Sequence, residues 1–156
     1  MPPVVLFAVW YGLLALAIAG ALYRGDRALR GAVAVVLATS LLGPWLIDHH
    51  GWRHLQGRLL AADVVQLAVF GWALMGSRRG WAGLATVLQA ASVAVHLAAW
   101  RTPETLSAAA YATALMALSW LILAALLSAS IAQVSRNRHE TSRGPLDRGF
   151  LDLWGF

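Results

Sequence analysis

Asp63 and Gln66 stand three residues apart, and further along the chain Ala85, Gln89, Ser92 and His96 follow one another at i, i+4, i+7 and i+11. Each spacing holds one face of a helix. A carboxylate and an imidazole can exchange a proton, and the amides and hydroxyl beside them can orient it. A second polar group lies between these two sets: Asp48, His49, His50 and His54 share one short stretch. Imidazole and carboxylate are ligands for zinc, copper, iron or nickel. If that stretch were helical, His50 and His54 would share a face.

Each group also has a plainer reading. Asp63 with His96 reads first as a structural bond between helices, and second as a proton relay or ligand site. The stretch 48–54 reads first as solvated residues at an interface, and second as a metal or haem site. Its HH and HxxxH fragments lack the several histidine boxes of membrane desaturases, because the chain has 5 His and His139 is far from the rest.

The elements that carry these residues are apolar. The chain has 156 residues, 60% hydrophobic and 12% charged, where a soluble domain carries about 25% charged residues. Five stretches, 4–23, 31–47, 59–76, 81–100 and 106–134, approach the length of about 20 residues that a helix needs to cross hydrocarbon. They are Ala- and Leu-rich and do not alternate, so barrel strands are excluded. The expected fold is all-α, an integral membrane bundle of five transmembrane helices over 1–134 with a basic and aromatic tail over 135–156. The run after Met1-Pro2-Pro3 has no positive residue before it, so it reads as a retained span and not as a cleaved signal.

All 12 basic residues are Arg. With five spans, Arg24, Arg27, Arg30, Arg78, Arg79, Arg136, Arg138, Arg143 and Arg148 fall on one side, and Arg53, Arg58 and Arg101 on the other. Positive charge marks the cytoplasmic side, so the N-terminus is expected outside and the C-terminus in the cytoplasm. That orientation gathers the 48–54 stretch, Asp63 and His96 at the outer end. Asp63 and His96 each sit about five residues below it, roughly 7 Å at the helical rise.

The tail combines Arg136 and Arg138, suited to anionic headgroups, with Phe150, Leu153, Trp154 and Phe156. It reads as an interfacial anchor, or as a docking peptide for a partner. The bilayer is the first partner, other membrane subunits or self-association the second. The charge does not have the form of a nucleic-acid surface. With 0 Cys, thiolate chemistry is excluded. No nucleophile elbow, phosphate loop, dinucleotide fingerprint or zincin helix is present, so nothing in the sequence requires an enzyme.

Arg79-Gly80-Trp81, then Gln89, then His96-Leu97-Ala98 and Ala110-Tyr111-Ala112 together resemble a pattern in uncharacterised small multi-span membrane proteins of sphingomonad-type alphaproteobacteria. The resemblance covers roughly the second half of the chain. It implies a multi-pass protein of the bacterial inner membrane and implies no activity. Three functions are therefore expected in turn. The first is a subunit or accessory of a larger membrane assembly, or a homo-oligomer. The second is a metal- or haem-binding protein with its site at the outer face. The third is a proton-coupled carrier or channel using Asp63 and His96. A bound lipid, quinone or pigment is compatible with each.

Overall fold

Backbone groups that enter lipid must bond within their own segment, and these segments do so as helices. The computed structural model describes residues 3–47, 56–77, 80–102 and 107–142, which form five helices and no strand. They are α1 (Pro3–Arg24), α2 (Arg27–Leu46), α3 (Gly57–Ser77), α4 (Gly80–Arg101) and α5 (Ala108–Ser142). Each is long and apolar enough to cross a membrane. Exposed Phe7, Leu16, Leu22, Leu41, Met75 and Val87 give the bundle the apolar exterior that lipid accepts.

Two boundaries depart by more than two residues from those expected. α2 begins at Arg27 and not at residue 31, because Asp26 caps it: its side chain accepts the Leu29 N–H at 2.8 Å. α5 continues past 134 to Ser142, since no Gly or Pro interrupts the chain from 108 to 143. Arg136 and Arg138 therefore lie within a helix.

The helices form a ring in chain order, each beside the next, and α5 closes it against α1. Short connections make sequential helices antiparallel. The odd number of helices then makes the closing pair, α1 and α5, parallel. Of the neighbouring pairs, α1 and α2 meet least.

The two ends of the ring are built differently. At the end holding Gly25 the bundle is sealed. Leu14, Ala17, Ala21, Leu29, Val33, Phe70, Leu123 and Leu126 belong to one buried cluster. Gly20 lets α5 approach α1 closely: a Cβ there would stand 2.8 Å from Ser130 Cβ. The Ser130 hydroxyl donates to the carbonyls of Ala17 at 3.2 Å and Leu126 at 3.0 Å. Arg30 donates to the carbonyls of Ala21 and Leu22 at 3.1 and 3.2 Å, adding to the bond that the Ala21 carbonyl accepts from the Gly25 N–H at 2.8 Å and giving the Leu22 carbonyl, near the end of α1, a partner. The Asp26 N–H donates to Gln133 Oε1 at 3.1 Å, tying this turn to α5.

At the end holding Gln56 the bundle opens. Pro44 stands inside α2 and has no N–H for the carbonyl four residues earlier. That carbonyl belongs to Ser40, and the Tyr11 hydroxyl donates to it at 3.2 Å. This is how a proline becomes tolerable at membrane depth: another helix satisfies the freed group. Beyond this bond Leu6, Phe7, Gly43, Pro44 and Ile47 line a crevice.

Candidate functional site

α4 turns one narrow polar face inward. Ala82, Ala85, Gln89, Ser92 and His96 are its buried residues, and they keep helical spacing. α3 answers with Asp63, Gln66, Phe70 and Ala73. Phe70 and Ala73 are fully buried, Gln66 nearly so, and the Asp63 side chain is 18% exposed. Where these faces meet, Asp63 Oδ2 accepts from the Ser92 hydroxyl at 2.5 Å and lies 3.1 Å from His96 Nε2. The Gln89 amide donates to the Asp63 backbone carbonyl at 3.2 Å, and the Gln66 amide to Thr39 Oγ1 at 2.9 Å. Gln66 thus braces α3 on α2 and does not join the Asp63 set.

α5 adds a residue that sequence reasoning did not assign to the site. The Tyr111 hydroxyl lies 2.5 Å from His96 Nδ1, and the two rings meet edge to face at 5.4 Å. Tyr111 is fully buried. A backbone hydrogen bond from Gln56, just before α3, also reaches its hydroxyl. The signal available was position: Tyr111 sits one turn into the fifth span, at the same end as Asp63 and His96.

In the neutral tautomer with the proton on Nε2, His96 Nδ1 accepts from the Tyr111 phenol and Nε2–H donates to the carboxylate; a protonated ring donates from both nitrogens. The chain is Tyr111 to His96 to Asp63, with Ser92 donating to the same oxygen. Counted from the ends of their helices at 1.5 Å per residue, Tyr111 lies about 4.5 Å in, His96 about 7.5 Å and Asp63 about 9 Å. The set therefore leads from the rim of the Gln56 end towards the interior.

Asp63 is where this chain meets open space. It lines a chamber of about 170 Å³ with Thr39, Gln66, Gln89, Ser92 and Ser119, and a second of about 240 Å³ with His96, Ala112 and Met116. A larger, apolar crevice of about 570 Å³ lies between α1, α2 and α5. Trp10, Ser40 and Ser119 line both it and the first chamber. Trp10 meets Trp120 edge to face at 5.2 Å, so this tryptophan faces inward and does not serve an interfacial belt. Trp45 and Trp100, near the ends of α2 and α4, are exposed as belt residues are.

Both ring nitrogens of His96 are engaged by Tyr111 and Asp63, so the imidazole is not free to be an axial ligand. Among the described residues no three His, Cys, Asp or Glu side chains come together as a metal set. Asp48, His49, His50 and His54 lie outside the described residues, as do Phe150, Leu153, Trp154 and Phe156.

Fold and site together define a multi-pass helical membrane protein with a buried carboxylate, imidazole and phenol in series beside an internal chamber. No family model, no curated protein and no solved structure matches the chain.

Proposed function

We propose that this chain is a proton-coupled carrier of the bacterial inner membrane, N-terminus outside and C-terminus in the cytoplasm. Asp63 is its proton-exchanging group, and His96 and Tyr111 connect it to the outer rim. The observation that carries this reading is the unbroken series Tyr111, His96, Asp63, ending on a carboxylate that borders a chamber. Ionisable groups within spans are costly and mark ligand or proton paths.

The contrast between the two ends supports a carrier over a channel. The buried cluster around Leu14, Leu29, Phe70 and Leu126 blocks a straight path from the chamber to the Gly25 end.

The test is proton uptake by the full-length protein in lipid nanodiscs after a pH jump, followed with a soluble indicator dye. The wild type is expected to exchange about one more proton per chain than Asp63→Asn. His96→Gln and Tyr111→Phe are expected to slow the exchange. Identical uptake by wild type and Asp63→Asn would overturn the reading.

A further inference from the structure

The crevice between α1, α2 and α5 joins an apolar space to the polar chamber through shared walls at Trp10, Ser40 and Ser119. Its volume of about 570 Å³ is that of a small-molecule site. It lies within the spans, between α1, α2 and α5, and α1 and α2 are the neighbouring pair that meet least. Phe7, Trp10, Pro44 and Trp120 make its wall. One molecule occupying both spaces needs an apolar body and a single polar head.

The chamber specifies the head. The hydroxyls of Ser92, Thr39 and Ser119 already donate to protein oxygens, to Asp63, to Val35 and Val36, and to Leu115. The Asp63 carboxylate keeps acceptor capacity, and Gln66 and Gln89, which also line the chamber, each keep an amide oxygen and one N–H, so a head that both donates and accepts a hydrogen bond fits. An anionic head would face Asp63 with like charge, and apart from His96 no basic residue lines any of the three spaces. A cationic head would have to shed its water on the way through an apolar mouth. A neutral hydroxyl meets neither obstacle.

We infer that the Asp63 site takes a hydroxyl-headed, single-chain amphiphile from the bilayer, an alcohol or phenol, entering between α1 and α2. This rests on the proton-exchange reading of Asp63 and gives that site its ligand class. It also supplies the coupling. An ionised Asp63 accepts the stronger, charge-assisted bond from the hydroxyl, so protonation of Asp63 weakens binding of the ligand. The titratable groups facing Asp63 are His96 from α4 and, through it, Tyr111 from α5. The lining residues from α1 and α2 carry no charge.

Gly43 supplies the control. It lines the crevice, and a Cβ placed on it meets no atom within 4 Å. Gly43→Phe therefore fills the space without a backbone clash.

The experiment is tryptophan quenching in the full-length protein in nanodiscs, using undecanol brominated at its far end. Undecanoic acid and undecane carrying the same bromine are the comparison probes. Saturable quenching by the alcohol is expected, about tenfold tighter than by the acid or the alkane, which is the scale of one hydrogen bond to a charged group. Gly43→Phe should abolish it and Asp63→Asn should weaken it. Equal quenching by all three probes, or unchanged quenching in Gly43→Phe, would overturn the inference. If quenching fails while Asp63-dependent proton uptake persists, the ligand is wrong and the proton site stands. If quenching is saturable and specific while uptake is independent of Asp63, the ligand stands and the proton site falls.

Discussion

Gly20→Leu is expected to leave little folded protein. The Gly20 position faces Ser130 so closely that even a methyl would stand 2.8 Å from Ser130 Cβ and 3.7 Å from its Cα. Neither is the free end of a flexible side chain, so α1 and α5 must separate to admit anything larger. Separation also breaks the bond from the Ser130 hydroxyl to Ala17 and opens the closing pair of the ring. Gly20→Ala is a poor test, because overpacking costs about 1–3 kcal/mol while alanine regains about 1 kcal/mol of helix propensity. Leucine gains no more propensity and adds three carbons to the clash. Gly12→Ala is the control, since a Cβ there meets nothing within 4 Å. Thermal unfolding in detergent should show Gly20→Leu lowered strongly and Gly12→Ala unchanged or slightly raised. Equal stability of the two would contradict the close approach of α1 and α5.

The second large effect separates a structural role for the polar series from a functional one. Asp63→Leu strands the Ser92 hydroxyl and the His96 Nε2–H, and His96→Leu strands the Tyr111 hydroxyl beside a carboxylate left with Ser92. A buried group left unsatisfied costs about 1–3 kcal/mol. Within membranes such bonds are worth less, about 0.6 kcal/mol on average and up to about 1.7. About 1–2 kcal/mol of destabilisation is therefore expected for each single variant, read from reversible unfolding. The fourfold variant Asp63→Leu/Ser92→Ala/His96→Leu/Tyr111→Phe removes the whole series at once and should lie within about 1 kcal/mol of wild type. Recovery means that apolar side chains serve stability as well there, and that the polar set is kept for its chemistry. A fourfold variant as unstable as the Asp63→Leu and His96→Leu singles added together would make the set structural.

The five helices are legible in the sequence because lipid imposes one rule on every segment, long apolar runs that close their own hydrogen bonds. The shared face of Gln89, Ser92 and His96 is legible for the same reason, since helical spacing is strict. The meeting of Asp63 with His96 needed one further step, the antiparallel pairing forced by a short connection. Tyr111 was harder, because a tyrosine near a span end also fits an interfacial belt, and only the turn of α5 about its axis decides between the two. The α1–α5 contact was not legible at all. Gly20 and Ser130 are 110 positions apart, and no local spacing pairs them. The crevice also escaped, because Pro44 signals a distorted turn but not that Tyr11 reaches across to the carbonyl it frees.

The central claim is that Asp63, His96 and Tyr111 exchange a proton as one unit. Its most direct test is pH-difference infrared spectroscopy of the full-length protein in nanodiscs, over about pH 4 to 10, the range spanned by free carboxyl, imidazole and phenol groups. A carboxyl C=O band should come and go with pH, vanish in Asp63→Asn, and change in both His96→Gln and Tyr111→Phe. A spectrum with no Asp63-dependent band, or one whose band ignores both His96→Gln and Tyr111→Phe, would contradict it.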